Sequence, residues 1–390
     1  MALPWERKIK KIMSLLTNMT LHVGKHYKLG NHIGAGAFGE IYSATNILTG
    51  KQVAVKLEPL NAEHPQLAYE ARVYERMDGK EGIPRVYYFG REGAYHILVM
   101  DLLGESLEDL FNVCRRRFSL QTTLVLAEKM LNVLERVHDE GFVHRDLKPD
   151  NFLIGGTSDP EGVYLVDFGL SKCFWNPDTN SHIPYRTGKH LTGTPRYASI
   201  KNHRGCEQSR RDDLEALGYI LVYFLKGELP WQNIKGKSKR VRYNKMMESK
   251  RDALHRTSLS EGLPVEFETY FQYVGDLGFS DRPDYRYMRR LFQGLYNRCG
   301  YSESPRYDWD LLAVGETTSS PRRSSQQPAM TTERHRISES VPLVNVRQQP
   351  WATGMRSRPT TRGTETHANV VHAQAVGMGE YSPTYSPYQQ

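Results

Sequence analysis

The chain has 390 residues, 39% of them hydrophobic, and a formal net charge of +8, which supports one large domain or two ordinary ones and excludes a fibrous or wholly disordered chain. The longest strongly apolar run, Leu217 to Leu225, has nine residues, against the roughly 20 that a membrane-spanning helix needs. Cys114, Cys173, Cys206 and Cys299 are too scattered for a disulfide framework or a C-x-x-C zinc site, so reduced thiols are expected, and the charge favours acidic or phosphorylated partners or, taken alone, nucleic acid.

In chain order, Arg7, Lys8, Lys10 and Lys11 precede a short apolar stretch, Ile12 to Leu16, below the roughly 7–15 residues of a signal-peptide core. Secretion is not expected. Residues 1–26 read as a basic extension, either a short docked helix or a frayed end, with weak membrane-surface contact through Ile9, Ile12, Met13 and Leu16 as the other reading. Tyr27 to Ile33 then leads into Gly34-Ala35-Gly36-Ala37-Phe38-Gly39-Glu40-Ile41, and Gln52 to Leu57 reads as a strand. Glycines at a hairpin tip let backbone approach phosphates, because no Cβ intervenes. A dinucleotide fold would open a helix after such glycines, whereas here strand-forming residues resume at once.

Lys56 ends that apolar strand, where its charge needs a partner. From Pro65 to Met77 the pattern is helical, with Leu67, Val73, Tyr74 and Met77 on the buried side and Glu70 on the same side; a Lys56–Glu70 pair would satisfy both charges. Tyr95 to Met100 reads as a further strand, and Asp101 to Gly104 as a hinge to a larger helical part with helices over 106–116 and 120–141. The octet His144-Arg145-Asp146-Leu147-Lys148-Pro149-Asp150-Asn151 sets a carboxylate, an ammonium and an amide on one loop, which is what phosphoryl transfer asks for: a proton acceptor, a cation and a hard oxygen for Mg²⁺. Val163 to Val166 reads as a strand delivering Asp167-Phe168-Gly169. From Leu170 to Tyr197 the chain turns irregular and polar, Arg210 to Gly218 opens the most apolar helix, and helical segments continue to about Leu312. Beyond it Ser, Thr, Pro, Gln and Arg dominate and lysine is absent, so 313–390 is expected to be a disordered tail.

The octet and the following Asp-Phe-Gly resemble the catalytic and metal-binding loops of protein kinases. The likeness sharpens at Leu103 to Phe111, His182 to Arg186, Leu191 to Ile200, Glu207 to Glu215 and Leu229-Pro230-Trp231, which resemble the casein kinase I family, including Ala198-Ser199-Ile200 where other kinases carry Ala-Pro-Glu. The resemblance spans about 27–312. It implies a bilobal α+β fold, with a β-rich lobe over 27–100, a hinge at 101–104 and a helical lobe over 105–312, and a Ser/Thr protein kinase using ATP and Mg²⁺. By position it implies Asp146 as catalytic base with Lys148 beside it, Lys56 and Glu70 as the phosphate-anchoring pair, and Asn151 and Asp167 as metal ligands. The glycine-rich run Gly34 to Glu40 would cover the phosphates. Ile33, Ile41, Ala54, Met100 and Leu153 would line the adenine slot, the backbone of Leu103 would meet the base, and Asp213 would brace the catalytic loop. Asn233, Pro195 and Arg242 depart from the family's usual glycine, alanine and lysine, which bears on substrate preference.

Arg186, Lys189, Arg196 and Arg242 fall in segments that border the substrate groove in that family. They are expected to select carboxylates or phosphates N-terminal to the target, chiefly at the third position before it. The tail holds Ser319, Ser320, Ser324 and Ser325 near Glu316; phosphorylated by the kinase itself, it would compete for the pocket near Arg196 and Arg242, whereas Tyr381 to Pro387 looks more like a partner's target. The other function classes weighed are a pseudokinase scaffold, which usually lacks the lysine, base or metal aspartate, and a nucleic-acid binder, for which no reading motif is found. A monomer acting on acidic or phosphorylated proteins in the cytoplasm and nucleus is expected.

Overall fold

The computed structural model describes residues 22–36, 39–156, 159–256, 258–302 and 306–317; Ala37, Phe38, the extension up to residue 21 and the tail beyond 317 lie outside the described residues, and with them the readings made for those stretches. A six-stranded antiparallel sheet begins the fold: β1 (His22–Val23), β2 (Tyr27–Gly36), β3 (Gly39–Asn46), β4 (Gln52–Pro59), β5 (Val86–Glu92) and β6 (Tyr95–Asp101), in the order β1-β2-β3-β4-β6-β5. The first strand belongs to this sheet, through the register His22 to Lys28 and Val23 to Tyr27.

Strand periodicity decides which face each β4 residue serves. Val53 and Val55 join Val23, Tyr27, Ala44, Ile97 and Val99 in a small core on one face, while Ala54 belongs to the main core on the other. Lys56 and Glu58 share the face of Ala54 and are almost fully buried. That face is crossed by α1 (Leu67–Arg76), whose buried side carries Leu67, Glu70, Ala71, Val73 and Tyr74. Gln66 gives no side-chain cap to this helix. The cap comes from the strand instead, as the Glu58 carboxylate accepts from the backbone N–H of Gln66 at 2.7 Å and of Leu67 at 3.1 Å, neutralising exposed N–H groups at the positive end of the helix dipole.

The second lobe is helical: α2 (Leu107–Val113), α3 (Leu120–Asp139), α4 (Ile200–His203), α5 (Arg210–Lys226), α6 (Lys239–His255), α7 (Val265–Asp276), α8 (Tyr285–Arg298) and α9 (Asp308–Thr317). Two-stranded pairs, β7 (Phe142–Val143) with β10 (Lys172–Cys173) and β8 (Phe152–Ile154) with β9 (Val163–Leu165), frame the loops between lobes, and β11 (Trp175–Asn176) pairs with β12 (Ser181–His182). The centre is α5, buried from Arg210 to Leu225. A Ser209/Asp212 capping box starts it and Gly227, at φ +88°, ends it. The basic residues from Lys239 on lie in α6, where Ser238 supplies the N-cap by accepting from Val241. The last helix passes the expected boundary at 312: Asp308 accepts from the Ser119 backbone N–H at 2.6 Å, and Trp309 stacks on Tyr307 and meets Phe118 edge-on.

Candidate active site

Lys56 reaches from β4 into the cleft and meets two carboxylates, Glu70 of α1 at 2.7 Å and Asp167 at 3.0 Å. Burial works against its charge, but the two acids outweigh that and raise its pKa. Asp167 shows the complement: burial alone would raise it, and Lys56 holds it below the usual carboxylate range. Glu70 is pushed up by burial against the pull of Lys56. The predicted pair therefore forms, and Asp167, 111 residues on from the lysine, joins it.

Backbone geometry aims Asp167. The residue is left-handed, φ +67° and ψ +64°, an uncommon state for a non-glycine residue, and its N–H donates to the Tyr74 hydroxyl at 3.2 Å. Phe168 is clamped edge-to-face between Tyr74 and His144, with 5.1 Å between ring centres on each side. The three rings form one buried column that links α1, the Asp-Phe-Gly turn and the catalytic loop.

Asp213, at the start of α5, accepts from the backbone N–H of His144 at 2.7 Å and of Arg145 at 2.9 Å. Arg145 is also left-handed, φ +68°. Charge-assisted bonds to two successive N–H groups oppose relaxation of that loop. Behind the carboxylate, His138 of α3 contacts Asp213 at 2.9 Å and the Tyr285 hydroxyl of α8, and burial lowers the His138 pKa against the pull of Asp213.

The presented group is Asp146. Its Oδ1 accepts from the Thr194 N–H at 2.6 Å and hydroxyl at 2.8 Å, and its Oδ2 lies 3.3 Å from the Lys148 ammonium. Asn151 spends its amide N–H on the Asp146 carbonyl at 2.9 Å, leaving Oδ1 as its cation-binding atom, while its own carbonyl accepts from Val166, the neighbour of Asp167. The donor set offered to a metal is thus one carboxylate and one amide oxygen, both hard ligands; it suits Mg²⁺, which takes few protein ligands and fills its shell with water and phosphate. Gly193 makes the contact with Thr194 possible: at φ +85°, a Cβ there would lie 2.2 Å from the Arg145 carbonyl oxygen.

The residues expected to line a nucleotide slot lie on both lobes. Ala54 pairs with Met100 across β4 and β6, Ile41 pairs with Lys56, and Leu153 bridges to Ser106. Ile33, at 49% exposure, is an apolar side chain without cover on β2. At the hinge, the N–H groups of Asp101 and Gly104 are bonded to Arg85 and Ile154, whereas the Leu103 backbone between them has no protein partner among the described residues. Two members of the glycine-rich run have other duties. A Cβ at Gly39 would stand 2.3 Å from the Leu57 carbonyl oxygen, so strand pairing demands that glycine. Glu40 accepts from the Tyr42 hydroxyl at 2.5 Å. Gly34 has open space around it, and Ala35 pairs with Glu40 where Gly36 pairs with Gly39 at the hairpin tip.

The four cations proposed to meet substrate anions fall into different settings. Lys189 is 3.5 Å from Glu207, which also takes Lys172 at 2.7 Å, and the Arg186 carbonyl accepts from the Glu207 N–H. Arg196 lays its guanidinium over the rings of Tyr197 and Tyr223, and Arg242, exposed on α6, lies over Tyr243. Sequence reasoning passed over Glu58, Tyr74, His138 and Glu207 as site-supporting groups and cited Thr194 only within a family stretch. The one local signal was a charged residue on the buried face of a strand, which applied to Glu58 as much as to Lys56.

The family model described as "Protein kinase domain" matches residues 27–271. That interval holds the lysine–carboxylate triangle, the braced catalytic loop and the hinge described above, and the chain belongs to the protein kinase domain family.

Proposed function

We propose that the chain is an active Ser/Thr protein kinase of casein kinase I type that moves the γ-phosphoryl group of Mg-ATP to hydroxyls in acidic or previously phosphorylated protein sites. The observation that carries this reading is the Asp146 carboxylate, fixed on one oxygen by Thr194 and facing Lys148 with the other. Asp146 orients the acceptor hydroxyl and takes its proton, and Lys148 places positive charge where negative charge develops. Lys56, held by Glu70, meets the α- and β-phosphates. The Asn151 amide oxygen and the Asp167 carboxylate would hold Mg²⁺, which would supply positive charge for the phosphate oxygens. A pseudokinase scaffold usually lacks a charge among Lys56, Asp146 and Asp167; all three are present here, and Lys56 pairs with Asp167, which favours the active reading.

The test is phosphorylation of an acidic protein with Mg-ATP, wild type against Asp146→Asn. Transfer by the wild type alone supports the reading; no transfer under any condition would leave a scaffold. The anion preference is supported by the exposed Arg242 and the resemblance, and a peptide array decides it: an Arg196→Ala/Arg242→Ala double variant that keeps the wild-type preference at the third position before the target sinks it. For the tail, prolonged incubation with ATP should slow the full chain but not a truncated one. The cut belongs after Thr317, because cutting after Leu312 would divide α9.

A further inference from the structure

Lys250 lies on α6 and is completely buried. Among the described residues none of the ion pairs includes it. Its ammonium donates instead to two backbone carbonyls of one loop, Pro195 at 2.9 Å and Ala198 at 2.5 Å. His203 of α4 completes the surround, with Nε2 3.2 Å from both the ammonium and the Pro195 oxygen. Below it lie the rings of Tyr219 of α5 and Trp231, at 5.1 and 5.3 Å. Trp231 in turn donates its indole N–H to the Arg196 carbonyl at 2.7 Å. The carbonyls of Pro195, Arg196 and Ala198 are therefore all held from α6 and the Trp231 turn.

This loop is the one whose first residue, Thr194, binds the Asp146 carboxylate. At its far end the Ser199 hydroxyl donates to Asp212 at 2.5 Å, and the Ile200 N–H donates to Glu215 at 2.7 Å. A lysine amine with no carboxylate within ion-pair distance is costly to bury, and here its hydrogen bonds go to a five-residue stretch beside Asp146. We infer that Lys250 is a positioning residue for phosphoryl transfer to protein: through the Pro195 and Ala198 carbonyls it fixes the loop that presents Thr194 to Asp146 and thereby sets where the acceptor hydroxyl sits. It does not touch ATP, substrate or metal, and Lys56, Glu70 and Asp167 are held by contacts of their own.

The inference rests on the kinase reading, and the experiment separates the two. The full-length wild type and Lys250→Met, which keeps the stem and removes the ammonium, are compared for peptide phosphorylation and for ATP hydrolysis without peptide, the ratio of the rates being independent of the fraction of protein folded. The ratio is expected to fall about 10- to 100-fold in the variant, the cost of a misplacement of about 1 Å, with the KM for ATP unchanged. A ratio equal to that of the wild type, with both rates lowered alike or neither, overturns the inference, because a merely structural lysine lowers both in step. A wild type that hydrolyses ATP but phosphorylates no acidic protein or peptide overturns the kinase reading instead.

Discussion

Replacing Gly193 by alanine isolates the most demanding contact of the site. Two costs add. The first is conformational: φ is +85°, and an L-residue in the left-handed region costs about 1–2 kcal/mol. The second is steric, because the new Cβ would stand 2.2 Å from the Arg145 carbonyl oxygen and 3.0 Å from Asp146 Oδ1. Both neighbours belong to a catalytic loop pinned by Asp213, so the glycine loop must retreat by about 1 Å, carrying Thr194 off the base. A displacement of that size costs about 100-fold in rate, or about 2.7 kcal/mol of barrier. Gly188 provides the control: it is also left-handed, φ +75°, with nothing within 4 Å of its added Cβ. Gly188→Ala should lower stability by about 1 kcal/mol and leave turnover intact. Single-turnover phosphorylation and thermal melting measure the two effects. If Gly193→Ala turned over within a few-fold of wild type, or Gly188→Ala lost as much, the steric argument would fail.

Lys56→Met and Asp167→Asn should each reduce single-turnover phosphorylation by orders of magnitude, but only the former should unfold readily, by about 3–5 kcal/mol, because it strands the buried Glu70 carboxylate; equal melting temperatures for the two would contradict this. Asp213→Asn replaces a charged acceptor by an amide that meets two N–H groups, so kcat should drop about 10-fold or more while the KM for ATP holds, and an unchanged kcat would show that the brace is idle. Stability should also report on Lys250, whose burial lowers its pKa from the ordinary 10.5 to about 7, Glu215 opposing the shift only in part. The unfolded chain then binds more protons between those values, so wild-type stability should rise with pH above about 7. His203, held neutral by burial, and the buried Tyr219 add no titration there. Urea midpoints at pH 7 and 9.5 should therefore diverge more for wild type than for Lys250→Met, and parallel midpoints would show that the lysine does not lose its proton in the fold.

The chemistry of this protein is written in short stretches of its sequence, because residue type and local spacing are enough to specify it. Lysine on an apolar strand and glutamate on the apolar face of a helix require each other whatever the rest of the chain does, and the pair forms. The octet brings Asp146, Lys148 and Asn151 onto one loop, with Lys148 3.3 Å from Asp146 and Asn151 bonded to the Asp146 carbonyl. The resemblance of that loop also carried the bracing by Asp213. What sequence could not supply was the set of contacts made across long separations. Nothing local marks Thr194 as the group that holds Asp146, 48 residues earlier, or His138 as the support of Asp213, 75 residues later. Glu58 looks like a strand residue until α1 is laid over it and its carboxylate becomes the helix cap. The four cations expected to meet substrate anions take partners no linear reading names: Glu207 draws Lys189, and the rings of Tyr197 and Tyr223 draw Arg196. Lys250, polar on a strongly basic helix, reads as a solvated charge; only the packing of α6 against the 194–199 loop and Trp231 buries it, because tertiary structure decides which face of a helix meets solvent when the sequence shows no apolar stripe.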